Sequence, residues 1–166
     1  MQAPLPGAPR PLVPARGIAP GLARRLAACL YDGLVLVAVE MLAGAAWVAL
    51  SHAAVEPGDW RFRSYLLAVA ALFFAGFWTR GETLGMRAWR LRILGPAGGP
   101  PDLGRALLRF FAALLSWFAL GLGFLWVLVD REHLAWHDRL SGTRLVLRDS
   151  LDGGLAPGRG ARNSPG

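Results

Sequence analysis

The sequence predicts an all-α membrane protein with two transmembrane helices plus a membrane-embedded helical hairpin, or a third span in its place, and a small two-stranded β ribbon on the cytoplasmic side. Of its 166 residues, 54% are hydrophobic, which is more than a soluble domain of this size usually contains. Three apolar stretches stand out, at residues 26–50, 65–79 and 110–129. All 18 basic residues are arginines that flank apolar runs, as in membrane proteins, instead of interleaving with aromatic residues as in nucleic-acid-binding proteins.

The composition divides the chain into three parts. Residues 1–20 contain six prolines and are predicted to form a disordered tail, and residues 150–166, rich in glycine and proline, a second one. Residues 21–149 form the predicted transmembrane domain. Its first apolar run contains Asp32 and Glu40, so it differs from a cleavable signal peptide.

The first two apolar stretches differ in how readily they span a bilayer. A hydrocarbon core of about 30 Å needs roughly 20 helical residues. Residues 26–50 are long enough to cross with tilt, whereas residues 65–79 reach across only if Phe62 and its neighbours join the helix. Between them, residues 51–64 include the turn signal Pro57-Gly58-Asp59, which predicts a short loop.

Two short runs, residues 88–94 and 143–148, alternate in the manner of β strands. Their predicted apolar faces carry Trp89, Leu91 and Ile93 in the first run, and Leu145 and Leu147, opposite Val146, in the second. We expect the two runs to pair as a ribbon at the membrane surface.

The arginines predict the topology. Four lie before residue 26, six in residues 80–109, six from residue 131 onward, and two in the loop at 51–64. By the positive-inside rule the loop is external and both termini are cytoplasmic. The third apolar stretch must then return, and Gly121 marks the bend of a hairpin with arms at residues 103–120 and 122–137. A plain third span is the alternative.

Asp32 is the central candidate site residue. An ionised aspartate in the hydrocarbon region costs about 2.5 to 3.5 kcal/mol, so we expect it to face a partner inside the protein. Arg25 shares its helical face but lies about 10 Å away along the axis. Arg105 and Arg109, four residues apart on one face, are the better predicted partners. Glu40, about 80° round the helix from Asp32, either lines the same cavity or pairs elsewhere.

These residues resemble the pattern of the RDD family of small bacterial membrane proteins, named for one arginine and two aspartates. Here those residues are Arg25, Asp32 and Asp138, the last within His137-Asp138 and followed by a Gly-Thr strand. The similarity runs from about residue 21 to 148 through TLGMR, WRLRIL, RALLR and WHDRLSGTRLVL. Met86 departs from the basic residue usual at its position. The resemblance implies a multi-pass protein of the bacterial inner (plasma) membrane, with relatives described as uncharacterised or as possible transporters.

Three interpretations of the charged residues follow. Asp32 and an arginine form a buried pair that fixes helix packing. Alternatively, Asp32 and Glu40 line a pathway for an ion or small solute. In a third interpretation, the protein is a scaffold or accessory subunit that recruits a partner protein or anionic lipid through its arginine-rich cytoplasmic face. Because so few helices enclose little space, we expect a homo-oligomer or a complex with a membrane partner.

The sequence lacks the motifs that would indicate other classes of function. It has no phosphate-binding loop, nucleotide fingerprint, Ser-His-Asp set or cysteine cluster, so we expect neither an enzyme nor a cofactor. His133 and His137 have a spacing that suits a metal ion, but a third ligand is lacking and no metal site is predicted. Asp138 is expected to bond backbone donors or Arg139 where helix meets strand. The expected partner is the lipid bilayer, not nucleic acid.

Overall fold

The structure, a computed structural model, describes residues 17–52, 54–119, 121–132 and 134–152. His133 and most of both predicted tails lie outside these residues. In chain order the elements are α1 (Leu22–Ser51), α2 (Trp60–Trp78), α3 (Leu84–Ala88), β1 (Leu91–Leu94), α4 (Leu103–Phe118), α5 (Leu122–Leu125), a 3₁₀ turn (Trp126–Leu128), α6 (Trp136–Ser141), β2 (Arg144–Leu147) and α7 (Asp149–Asp152).

Helices α1 and α2 correspond to the two predicted spanning helices and have the length and apolar composition needed to cross a membrane. Helix α1 has 30 residues and leaves large apolar side chains such as Leu30, Leu34 and Met41 more than 60% exposed. Such a face suits lipid. Helix α2 begins at Trp60, where the Asp59 side chain accepts a hydrogen bond from a backbone N–H of the first turn. It includes Phe62, which was the condition for this stretch to reach across a bilayer.

The third apolar stretch is broken. Helix α4 and the helical residues 122–128 meet at an angle of 106° at Gly121, whose φ of 78° suits glycine. The bend lies where the sequence predicts it, but the predicted second arm to His137 is too long. The chain leaves the helix after Leu128, because Asp130 organises a polar turn by accepting a hydrogen bond from the Leu134 N–H and pairing with Arg139. By length and composition the bent pair could form one further span.

The predicted two-stranded ribbon is confirmed. Strands β1 and β2 pair antiparallel, with Leu91 opposite Leu147 and Leu94 opposite Arg144. Leu91 and Ile93 are fully buried. Trp89 instead lies at the end of α3 and is 44% exposed, because the left-handed backbone of Arg90 separates it from the strand.

The second face of the ribbon was predicted wrongly. Val146, expected on the solvent side with the arginines, is fully buried. The cause is the segment before α1. The Ile18 carbonyl accepts a hydrogen bond from the Leu147 N–H, and Gly17 lies so close to Val146 that a Cβ on Gly17 would approach the valine Cβ to 2.7 Å.

The ribbon gathers the start of α1, the end of α2 and both ends of the α4–α6 segment at one end of the molecule. The Gly81 carbonyl, just beyond α2, accepts a hydrogen bond from the Ile93 N–H. The Arg105 guanidinium, in the first turn of α4, donates to the Ser141 carbonyl at the end of α6. The core lies beside the ribbon, where Ala28, Trp78, Met86, Leu91 and Phe110 pack together.

Candidate functional site

A buried ion cluster joins three helices at the ribbon end. Arg25 comes from the first turn of α1, Arg109 from α4 and Asp138 from α6, and all three are at most 5% exposed. One oxygen of Asp138 accepts from Arg25 Nη1 at 2.8 Å and from the Ala135 N–H at 3.0 Å. The other oxygen lies 2.5 Å from Arg109 Nη1. One carboxylate therefore holds two guanidiniums.

The cluster also decides the charge of its neighbour, His137. Burial by itself would raise the pKa of Asp138, but the guanidiniums of Arg109 and Arg25 outweigh it and hold that pKa well below its ordinary value. Burial, together with the Arg109 guanidinium, lowers the pKa of His137 to about 3. At neutral pH, Asp138 is thus ionised and the imidazole is neutral.

The residues after Asp138 brace this cluster. Arg109 Nη1 also donates to Thr143 Oγ1, which lies 2.8 Å from Ser141 Oγ, and Ser141 Oγ donates to the His137 carbonyl. These hydrogen bonds explain the motif WHDRLSGT: its side chains hold together the junction at which α6 ends and β2 begins. Asp138 binds the predicted backbone donor, whereas Arg139, the other partner proposed for it, pairs with Asp130.

The predicted pairing of Asp32 with Arg105 or Arg109 is wrong. Asp32 is 3% exposed, and its two carboxylate oxygens accept hydrogen bonds from Thr83 Oγ1 at 2.5 Å and from the Gly85 N–H at 2.7 Å. Among the described side chains it forms no ion pair. Arg109 is engaged by Asp138, and Arg105 pairs with Asp102 and donates to the Ser141 carbonyl.

The segment that receives Asp32 is the short helix α3, which sequence reasoning did not connect with it. Thr83 is the N-cap of α3, accepting from the Met86 N–H while donating to Asp32. Gly85 packs so closely on α1 that a Cβ would overlap the Ala28 carbonyl oxygen. The sequence signal that could have identified this capped turn is a threonine three residues before Met86, with a glycine between them. Met86, the departure from the family pattern, is buried in the core.

A cavity of about 520 Å³ runs between α1, α2 and α4 and reaches the ion cluster. Arg25, Asp32, Arg109 and His137 line it, and so does Glu40, which thereby takes the first of its two predicted positions. The rest of the wall is mainly apolar, with Leu36, Leu67, Ala70, Phe74, Phe110, Leu114 and Phe124 among its residues. Two of the predicted site residues, Arg105 and Asp138, do not line this cavity, and Arg105 lies beside Gly142.

The described residues provide no metal centre. Within residues 17–152, leaving out positions 53, 120 and 133, no three His, Cys, Asp or Glu side chains converge on a point that could hold an ion. His133, which was considered as a ligand together with His137, lies outside the described residues. The polar side chains among the residues that line the cavity are two arginines, two acids, a neutral histidine, the indoles of Trp78 and Trp117, and the thiol of Cys29.

Comparison with known proteins shows the family. No curated protein and no solved structure matches the chain. The family model described as RDD family matches residues 19–142. The match covers well over half of the 166 residues and includes Arg25, Asp32 and Asp138. The chain therefore belongs to the RDD family.

Proposed function

We propose that this protein is a multi-pass protein of the bacterial inner membrane that moves an ion or small solute through the cavity lined by Asp32 and Glu40. The cavity itself carries the proposal. A purely structural charge pair needs no free space beside it, since buried polar groups in a close-packed interior fill their surroundings. Here about 520 Å³ of space adjoins two acids, two arginines and a neutral histidine, between helices long enough to span a bilayer. Ionisable groups at such positions mark solute pathways in membrane proteins.

The proposed topology places the ribbon and both termini in the cytoplasm. Strands β1 and β2 pair directly, so the α4–α6 segment between them begins and ends at the same end of the molecule. This pairing supports a re-entrant segment over a third crossing. The excess of arginines around the ribbon supports the cytoplasmic side. A tag at the carboxy terminus is expected to stay protected in intact spheroplasts and to become accessible on permeabilisation; access before permeabilisation would contradict the topology.

We also propose that the protein works as a homo-oligomer or with a membrane partner. Exposed aromatic residues beside the bend, Trp117 at 71% and Phe118 at 84%, offer an apolar surface to a second chain or to lipid. Crosslinking in native membranes is expected to give defined multimers. The proposal of an oligomer or partner complex would be refuted if the protein is a monomer in detergent and still moves solute when liposomes contain single copies of it.

The transport proposal is tested by the variant Asp32→Asn. Asparagine has nearly the shape of aspartate, and its side-chain oxygen still accepts from the Gly85 N–H, so we expect folded protein at normal yield. Flux of Na⁺, K⁺ or H⁺ into proteoliposomes, followed with ion-sensitive dyes, is expected to fall at least tenfold. Glu56→Gln, an exposed change in the loop between α1 and α2, is the matched control. Unchanged flux in Asp32→Asn would show that Asp32 is not part of the pathway.

The scaffold alternative receives less support from the structure. The arginines that would form its recruiting surface are engaged within the chain: Arg148 lies 3.5 Å from Glu82, and Arg144 lies 3.6 Å from Glu132. Charges that are paired attract anionic lipid weakly. If the scaffold role holds, replacing Arg144 and Arg148 with alanine releases a co-purifying partner; if the transport role holds, those variants keep wild-type flux.

A further inference from the structure

One acid in the cavity wall, Glu40, has no partner within the part of the chain that the structure describes. No described residue donates a hydrogen bond to its carboxylate or forms an ion pair with it. Glu40 lies inside helix α1, about 16 Å before the helix ends at Ser51. An ionised acid at that depth of a spanning helix is unfavourable unless a positive charge answers it. Glu40 therefore favours a cationic ligand that comes from outside the chain.

The Glu40 carboxylate can be reached from the cavity. Its side chain is partly exposed, and its oxygens are not among the enclosed polar atoms of the described residues. The arginines of the cavity wall lie elsewhere. Arg109 is engaged by Asp138. Arg25 precedes Glu40 by fifteen residues, which is about 22 Å along the helix axis. The charge of Glu40 is therefore left to a ligand in the cavity.

Much of the remaining cavity wall is aromatic. The rings of Phe74 on α2 and Phe110 on α4 lie 6.1 Å apart. Those of Trp117 and Phe124 lie 6.4 Å apart across the bend of the third apolar stretch. Phe110 is buried, but the other three rings keep exposed surface that a ligand can contact. The face of an aromatic ring attracts a cation, and it also packs against apolar groups that the cation carries.

The cavity wall does not form a coordination site for a small inorganic cation. Among the described positions of residues 17–152, no three acidic, histidine or cysteine side chains converge on one point. Asp32, the other acid of the wall, lies about 12 Å from Glu40 along the helix axis. Apolar side chains cannot replace the hydration shell of a metal ion. An organic cation needs no such ligands, and a cavity of about 520 Å³ has the size of pockets that hold drug-sized molecules.

We propose that the cavity binds a monovalent organic cation, such as a quaternary ammonium or phosphonium ion with aromatic substituents. Its charge lies at Glu40, and its apolar groups lie against Phe74, Trp117 and Phe124. This inference rests on the proposed function, because it names the class of solute that the cavity takes up. One unpaired acid calls for one positive charge, so one cation per chain is expected.

The test measures binding of radiolabelled methyltriphenylphosphonium to the full-length protein in phosphatidylcholine nanodiscs, with empty nanodiscs subtracted. Saturable binding of one cation per chain is expected. Triphenylphosphine oxide has the same three rings and nearly the same size but no charge, and it should displace the label at least tenfold less well than the unlabelled cation. Tetramethylammonium has the charge but little apolar surface, and it should also be at least tenfold weaker. Displacement by either compound as good as that by the cation, or no saturable binding, overturns the proposal.

A conservative variant locates the charge. Glu40→Gln keeps the shape of the side chain and removes only its charge. Because Glu40 has no partner among the described residues, the variant should keep the wild-type circular dichroism spectrum. It should bind the cation at least tenfold more weakly. Glu56→Gln, an exposed change in the loop between α1 and α2, is the matched control and should bind as the wild type does. Wild-type affinity in Glu40→Gln would overturn the proposal.

A second pair of variants tests the aromatic wall. Trp117→Leu should bind the cation about fivefold more weakly, because it removes an exposed cation–π contact. Trp60→Leu changes a tryptophan that is 70% exposed and outside the cavity, and it should bind as the wild type does. Equal affinity in the two variants would overturn the placement of the apolar groups. Binding without flux of the cation into proteoliposomes would refute transport alone, and ion flux without binding would refute only the organic cation.

Discussion

Replacing Asp138 with asparagine should strongly destabilise the ribbon end of the molecule. The carboxylate is fully buried and holds three groups: Arg25 Nη1 at 2.8 Å, Arg109 Nη1 at 2.5 Å and the Ala135 N–H at 3.0 Å. Asparagine keeps one acceptor oxygen and places an NH₂ group where the other oxygen stood. That NH₂ must face one of the two guanidiniums, donor against donor, and both arginines lose their counter-ion.

The size of the effect follows from burial. Removing one partner of a buried ion pair destabilises proteins by about 3 to 5 kcal/mol, because the charge left behind is neither solvated nor paired. Here one carboxylate is shared by two guanidiniums, on side chains 5% and 2% exposed, so we expect Asp138→Asn to fall at the upper end of that range. Asp149→Asn is the matched control. Asp149 pairs with Arg90 across 3.2 Å, but both are more than 60% exposed, and such pairs contribute at most about 1 kcal/mol.

The free energy of unfolding is measured in detergent micelles by circular dichroism during titration with sodium dodecyl sulfate. Asp138→Asn is expected to lower it by about 4 to 5 kcal/mol, and Asp149→Asn by less than about 1 kcal/mol. A loss within about 1 kcal/mol of wild type for Asp138→Asn would refute the reasoning, since it would mean that water reaches the two arginines.

Three further predictions concern the same end of the molecule. Gly85→Ala should lower stability by about 1 to 3 kcal/mol, because its Cβ would approach the Asp32 carboxyl carbon to 2.9 Å. Gly33→Ala is the control, because a Cβ there meets nothing within 4 Å, and thermal unfolding compares the two variants. Thr83→Val should cost about 1 to 3 kcal/mol by removing a donor to Asp32, with Thr83→Ser restoring wild-type melting. The pKa of His137 is about 3 in the folded protein and about 6.5 in the unfolded chain, so on acidification the unfolded chain binds the proton first. Stability should therefore fall by about 3 kcal/mol from pH 7 to pH 4. In His137→Gln the melting temperature should depend less on pH over this range.

Much of the fold followed from patterns that depend on neighbouring residues. The length and apolar composition of residues 22–51 and 60–78 decide that they form membrane-length helices, and the glycine at 121 decides where the third stretch bends. The alternation in residues 91–94 and 144–147 predicted strands that do pair. What sequence reasoning missed depends on contacts between distant segments. Val146 is buried because Gly17, about 130 residues earlier, covers it, and no local pattern contains that information.

The site was also predicted only in part, because its contacts join distant segments of the chain. Charge and helical geometry identified Arg25 and Arg109, and the resemblance to the RDD family identified Asp138, but neither showed which acid would hold which arginine. The prediction assumed that a buried acid needs a cation. Asp32 instead uses a hydroxyl and a backbone N–H, supplied by Thr83 and Gly85, and neutral donors of this kind carry no charge by which a sequence pattern reveals them.

The two aspartates hold their charges by different means, and this difference decides which of them is free to act. Any change at Asp138 takes the shared carboxylate away from two buried guanidiniums, so that residue is committed to the fold. Asp32 binds only neutral donors and lines the cavity, so its charge is available to whatever enters. Asp32→Asn should therefore reduce flux with little loss of stability, and Asp138→Asn should do the reverse in the protein that remains folded. Equal loss of stability in both variants, with flux per folded molecule intact, would show that the two acids share one structural role.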